Sequence, residues 1–395
     1  MFVTGPRFRR SHLGLALCCM LTSSAARAAG PSRVPMVTSH WRVVETKAGD
    51  PRPDIQFVRK EGFPQGLLVL KSGEVAVNNL NFRNGTIEFD IKPIGQDIPG
   101  IRFRQKDRGN AEEFYLRTFP DCRASDDCIQ YTPVIHGFML WNVYPQYQTE
   151  APVLDGWNHV RLVVSGRRMN VFINRSMTPT LAVGALQAET SEGGIELRGP
   201  AVFANLVVTP DAVEGLSGQP APDPAAGDRG IVRHWFLSPL APLHYGKDPS
   251  YAEMPADPHA WTSISAERDG LVNLNRQYTS TDAPPALVWL RSEVHSEHDG
   301  KERVSLGWIG QAWVFVNGKP VTQGKNFYYP ESERRDPDGR LSFENGSFDV
   351  PLRKGSNEIA IALYSSVHDD ARPRTRYGWG LKLRFDDPRD ISLSR

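Results

Sequence analysis

The stretch WNHVRLVVSGRRMNVFIN, residues 157–174, constrains the fold more than any other part of this chain. Two β-rich runs, 160–164 and 169–173, flank Ser165-Gly166-Arg167-Arg168, the pattern of an antiparallel hairpin closed by a glycine-containing turn. A two-stranded hairpin has marginal stability alone in water. It requires neighbouring strands at its edges and a second sheet over its apolar face, so the stretch predicts a β-sandwich.

The surrounding sequence carries the same signature. Short alternating segments at 67–71, 85–92, 100–104, 113–117, 128–131, 137–142, 194–198 and 202–209 are separated by turn residues and show little helical periodicity. At 395 residues the chain exceeds one ordinary sandwich. The composition shifts at QPAPDPAAGDRG, rich in Pro, Ala, Gly and Asp, where an extended, semi-rigid linker is expected. Beyond it a second strand set is expected at 232–237, 261–267, 271–275, 286–294, 304–308, 311–316, 319–321, 346–351, 357–363 and 377–385. Asn317-Gly318 after AWVFV is a strong type I′ turn signal, because both positions accept positive φ. The expected fold class is therefore all-β, two sandwiches in tandem: a leader at 1–28, a first domain at 31–211, a linker at 212–230 and a second domain at 231–395.

The leader is read from Arg7, Arg9 and Arg10, the apolar run from Leu13 to Leu21 and the small-residue site Ala26-Arg27-Ala28, a secretory pattern. Cys18 and Cys19 raise a lipoprotein alternative, but Leu17 precedes Cys18 where a small residue is the rule. No other stretch has the length of a membrane span, so an exported protein is expected, periplasmic or extracellular. In that oxidising setting Cys122 and Cys128 are expected to form a disulfide. Lys plus Arg total 46 against 45 for Asp plus Glu, a net charge of +1, which argues against nucleic acid as a partner.

FRNGTIEFDIKP, GIRFRQKD, DCIQYTP, HGFMLW, the hairpin stretch and AVFANLVVTP occur in this order. Together they resemble the concanavalin A-like jelly roll, and within it the laminin-G-like or keto-disaccharide hydrolase branch. The resemblance covers nearly all of 40–210 and implies glycan binding or processing on a curved sheet. AWVFVNGKPV, FDVPLRKGSNEIAIAL and GWGLKLRF resemble the galactose-binding-domain-like jelly roll, which implies an accessory sugar-binding architecture. There the VNGK and KGSNEI motifs are structural.

Strand parity locates a candidate face. With Ile87, Phe89 and Ile91 inward, Glu88 and Asp90 point out. With Ile101, Phe103, Phe114, Leu116, Ile129 and Tyr131 inward, Arg102, Arg104, Tyr115, Arg117 and Gln130 point out, with Trp141 nearby. One face carrying all of these would offer carboxylates, guanidinium groups and aromatic rings to a saccharide. The competing reading is a solvated face whose charges pair across strands. Glu88 and Asp90 are the catalytic candidates, because Glu88-Phe89-Asp90 resembles the start of the E-x-D-x-x-E signature of laminarinase-type hydrolases. Pro93 stands where the last acid should be, so retaining hydrolysis lacks a member of its carboxyl pair.

Phe327-Tyr328-Tyr329 is read as loop or interface packing before sugar contact, and His295-Ser296-Glu297-His298-Asp299 as turn chemistry before a metal site. No GxSxG, HExxH, P-loop or dinucleotide fingerprint occurs, and no cofactor is expected. The leading expectation is an exported carbohydrate-binding protein; the alternatives are a glycoside hydrolase or keto-disaccharide-cleaving enzyme, and an envelope module that binds another protein.

Overall fold

The computed structural model describes residues 1–2, 5, 30–45, 52–120, 122–243, 246–278, 286–365 and 378–394. The leader motifs, Cys18 and Cys19 lie outside the described residues. The fold is all-β, built from antiparallel sheets, and among the described residues the helical segments are short 3-10 turns.

The 157–174 stretch forms the expected hairpin. Val160 pairs with Ile173 and Ser165 with Arg168, leaving Gly166-Arg167 as the loop. Its sheet runs Leu181–Val183, Arg168–Ile173, Asn158–Ser165, Gly85–Pro93, Ala201–Pro210, Phe63–Ser72, Asp54–Lys60, with Ser32–Arg33 added on Ala201–Pro210. A second sheet faces it, in the order Phe138–Met139, Ile129–Ile135, Asn110–Leu116, Gly100–Asp107, Gly194–Arg198, Glu74–Val77, Trp41–Val43, with Gln148–Thr149 on Ile129–Ile135. Ile87, Phe89, Ile91, Ile101, Phe103 and Phe114 meet between the layers with no exposed surface. Each such side chain contributes roughly 1.5–3 kcal/mol of burial. The strand expected at 137–142 stops at Met139, because Val143 and Tyr144 both donate their N–H to Leu140 O and turn the chain.

The remaining strands, from His234–Leu237 to Ile391–Leu393, form one eleven-stranded assembly. Its backbone is Gly300–Val316, into which the strands expected at 304–308 and 311–316 merge. Up to Ile309 this strand pairs with Gly346–Leu352 and Gly380–Phe385; from Gly310 onward it pairs with Lys319–Asn326 and Gly355–Tyr364. The change of layer falls at Gly310, where φ is 118° and a Cβ would sit 2.3 Å from Tyr364 O. Asn317 and Gly318 take φ of 50° and 79°, the I′ turn their dipeptide predicts. On the outside of this assembly Trp289, Trp313, Phe315 and Tyr364 make a third apolar layer with Leu243, Tyr251, Met254 and Trp261.

Residues 212–230 do not form an extended spacer. Ala221 N bonds Gly184 O, Arg167 N bonds Gly218 O, and Arg268 donates to the carbonyls of Ala221 and Pro222. The backbone groups that an extended linker leaves to water are taken by the sandwiches on either side. Further bonds join the two halves directly: His136 Nδ1 to Asn275 O at 2.8 Å, Tyr144 Oη to Glu267 at 2.7 Å, and Leu341 N to Asn142 O at 2.8 Å.

Candidate functional site

Parity holds on each strand except at Arg104, but the strands do not share one sheet. Gly85–Pro93 belongs to the first sheet and Gly100–Asp107 to the second. Side chains pointing away from a common core on opposite layers face opposite sides of the sandwich, so Glu88 and Asp90 are separated by the whole core from Arg102, Tyr115 and Gln130. Glu88 and Asp90 instead flank His159 on the neighbouring strand. His159 Nδ1 lies 2.8 Å from Asp90 Oδ1, His159 Nε2 lies 3.4 Å from Glu88, and Asn205 donates to Asp90 at 2.7 Å. Burial works against the Asp90 charge, but hydrogen bonds from His159 and Asn205 hold its carboxyl below the ordinary range. The bond to Asp90 raises the imidazole in turn.

The second sheet carries the polar face. Its register lines up two outward rows: Glu196, Arg102, Glu113 and Thr132 in one; Glu74, Arg198, Gly100, Tyr115 and Gln130 in the other. Arg102 is the hub. Its Nε donates to Glu113 at 3.0 Å, and its Nη1 reaches Glu196 at 3.0 Å and Glu74 at 3.3 Å. Arg198 Nη1 lies 2.7 Å from Glu113, and Gln105 donates to Glu196 at 2.8 Å. Glu113 and Glu196 are sealed at the base, while the side chains of Arg102, Arg198 and Glu74 keep 12%, 14% and 22% of their surface open.

These surroundings drive the two acids apart. Burial penalises the Glu113 charge, yet Arg102 and Arg198 overcome it and hold the carboxyl below its usual range. At Glu196 burial prevails over Arg102, with Glu74 adding repulsion, and the carboxyl is pushed up to about 7. The face therefore pairs an ionised carboxylate with a carboxyl that exchanges its proton near neutrality.

At the other end of the face Tyr115 Oη donates to Gln130 Oε1 at 2.8 Å, Arg117 Nη2 donates to the same oxygen at 2.7 Å, and Gln130 Nε2 donates to Trp141 O at 2.8 Å. Burial pushes the Tyr115 phenol up to about 12. Arg117 also pairs with Asp127, which takes Arg340 of the carboxy-terminal half at 2.6 Å. The Trp141 ring meets Tyr328 edge-on at 4.9 Å, and Arg334 stacks on Tyr328 at 4.1 Å. Tyr115, Gln130 and Trp141 are thus tied into the junction between the halves, and the Phe327-Tyr328-Tyr329 run packs at that interface. Cys122 and Cys128 form the expected disulfide, Cα–Cα 4.5 Å, closing the loop that presents Asp127.

Arg104 does not join the outward row. The pairing shifts after Phe103, and Arg104 takes φ of 50°, which breaks the alternation and turns its side chain toward the hairpin layer. It donates to Arg83 O, Gly166 O and Asn84 Oδ1 at 2.7, 2.8 and 3.0 Å, a strut between sheets. His295 and Ser296 end the strand Ala286–Ser296, and 297–299 make the bend into Gly300–Val316: Ser296 Oγ donates to His298 O, and Asp299 accepts Lys354 N. Among the described residues no group of three or more His, Cys, Asp or Glu converges to hold a metal ion.

Glu74, Glu113, Glu196 and Arg198 were not among the sequence candidates. The signal was available: Ile195 and Leu197 alternate inward on Gly194–Arg198, which places Glu196 and Arg198 outward by the same rule that placed Arg102.

No protein-family model matches the chain, and no curated protein does. Solved structures match with less than half of it. The carbohydrate binding module CBM66 from Bacillus subtilis is 15% identical over 43% of this chain and 96% of its own, TM-score 0.30. A Bacillus subtilis protein of unknown function with a galectin-like fold is 15% identical over 46% and 97%, TM-score 0.31. The β-glucanase of Bacillus licheniformis is 11% identical over 47% and 100%, TM-score 0.31. At these identities and scores no role passes from those proteins to residues of this chain.

Proposed function

We propose that this chain is an exported saccharide-binding protein whose ligand lies against the Arg102–Arg198 end of the second sheet's outer face. The observation that carries the reading is the Arg102 hub: three carboxylates gathered on one guanidinium, on a face that could have been left apolar or fully solvated. At Glu196 burial prevails over the pairing with Arg102, a cost of about 3 kcal/mol above neutrality that a purely structural sheet avoids. Forked carboxylates and guanidinium groups match pairs of neighbouring sugar hydroxyls, and the partly open edges of Arg102, Arg198 and Glu74 are where such hydroxyls would reach them. Tyr115, Gln130, Arg117 and Trp141 hold the adjoining floor. Export rests on the leader pattern and agrees with the disulfide.

Calorimetric titration of the full chain with laminari-, cello-, xylo- and fructo-oligosaccharides tests the reading. Binding to one series that weakens at least tenfold in Glu74→Ala is the expected result. A folded protein that binds none of the four overturns it.

A further inference from the structure

The outer face of the second sheet is open at one edge and shut at the other. Its surface groups lose exposure from strand to strand. Arg42, on the edge strand Trp41–Val43, is exposed; the side chains of Glu74, Arg198 and Arg102 keep 22%, 14% and 12% of their surface; Tyr115 and Gln130, on the next two strands, are buried. An antiparallel sheet with a free outer face stays wet across its whole width, so the far side of this one is covered.

Two parts of the chain make the cover. The far edge of the sheet curls over its own face: Met139 Sδ comes within 3.4 Å of Arg198 Nη1, although three strands lie between theirs. Behind it stands the carboxy-terminal half. Tyr328 meets the Trp141 ring edge-on, and Arg340 stands over the same indole with its guanidinium carbon 5.4 Å from the centroid. Arg340 is 5% exposed and is held between Asp127 of the first sandwich at 2.6 Å and Asp338 at 3.0 Å. A buried guanidinium shared by two carboxylates does not swing aside, because moving it would strand both charges. The shut end is therefore a fixed wall and not a lid.

We infer that the carboxy-terminal half, by closing this end, restricts the face to the terminal unit of a saccharide chain; the inference rests on the reading of the Arg102 face as the saccharide site. An interior unit needs room for chain on both of its sides, and this face leaves room on one. The terminal unit would lie with its free hydroxyls on the forks of Arg102, Arg198 and Glu74 and its tip toward Tyr115, while the rest of the chain leaves over Arg42 into solvent. Trp141, Tyr328 and Arg340 would then set specificity by exclusion, without bonding the ligand.

The test is calorimetry on the full chain with hexasaccharides of the laminari, cello, xylo and fructo series. Each is used free and with the spare hydroxyls of its terminal unit O-methylated at one end, at the other, or at both. In the series that binds, capping both ends is expected to weaken binding by about tenfold or more, as loss of the terminal hydrogen bonds requires, with one of the single caps reproducing the loss and so naming the end. A doubly capped chain that binds as well as the free one is held by its interior units and overturns the inference while leaving the saccharide reading intact. Cap-sensitive binding that Glu74→Ala does not weaken lies elsewhere on the molecule and overturns it too. A folded protein that binds none of the free chains overturns both readings together.

Discussion

Replacing Glu196 by Gln should make the protein more stable at alkaline pH and leave it unchanged in acid. The carboxyl is buried beside Glu74 with Arg102 as its cationic neighbour, and it titrates at about 7 instead of 4.5. A carboxyl whose folded pKa is raised favours folding while protonated, so its contribution is complete below pH 4.5 and is lost as pH rises to 7. Two and a half pH units at about 1.4 kcal/mol each give a penalty of about 3 kcal/mol above neutrality. Glutamine keeps the shape and an oxygen for Arg102 without the charge. At pH 8 the variant should therefore gain about 3 kcal/mol, or roughly 6–12 °C in melting temperature for a unit the size of the first sandwich. The assay is urea unfolding of both proteins at intervals between pH 4 and 8. The difference between the two curves cancels the titrating groups that do not touch Glu196, including His159. A difference that stays flat across this range, or a variant less stable than the parent at pH 8, would refute the assignment of Glu196 as the acid that burial keeps protonated.

Other outcomes follow from the same geometry. Arg102→Ala leaves Glu113 and Glu196 buried without their shared cation and should cost about 3–5 kcal/mol in urea unfolding; a loss below about 1 kcal/mol would show the hub to be dispensable. Gly310→Ala puts a side chain at φ 118° against Tyr364 O and should cost about 2–3 kcal/mol, and a thermal melt unchanged within error would mean the bend tolerates a Cβ. His159, raised by its bond to Asp90 but 45% exposed, should contribute about 0.2–1 kcal/mol, present in full below pH 6.5 and lost as pH rises through its folded value. His159→Ala should abolish that increment, and an NMR titration placing His159 at or below 6.5 would contradict it.

How much of this was legible in the sequence depends on the range of the interaction involved. Alternation is local, so the inward set Ile87, Phe89, Ile91, Ile101, Phe103 and Phe114 could be read correctly, as could the 157–174 hairpin and the Asn317-Gly318 turn. Alternation does not say which layer a strand joins. Residues 94–99 carry the chain from the first sheet to the second, and nothing in IGQDIP distinguishes that crossing from a hairpin loop, so Glu88 and Asp90 were grouped with groups on the far side. Arg104 failed for another reason: one bulge after Phe103 reverses the direction of every side chain that parity assigns beyond it. Trp141 was placed near the right surface, but its partners Tyr328 and Arg340 come from about two hundred residues away in sequence, where pattern reading has no reach.

The apolar third layer on the carboxy-terminal half has a consequence for handling the protein. Tyr251 reaches across to Glu358, and the Trp313 indole is pegged to Asp248, so among the described residues few polar pins fasten the wrap. A protease that nicks this wrap would uncover Trp289, Trp313 and Phe315 together, a sticky aromatic plate far larger than a lone exposed side chain. Clipped preparations should then clump, seen as a rise in light scattering, while intact ones stay dispersed.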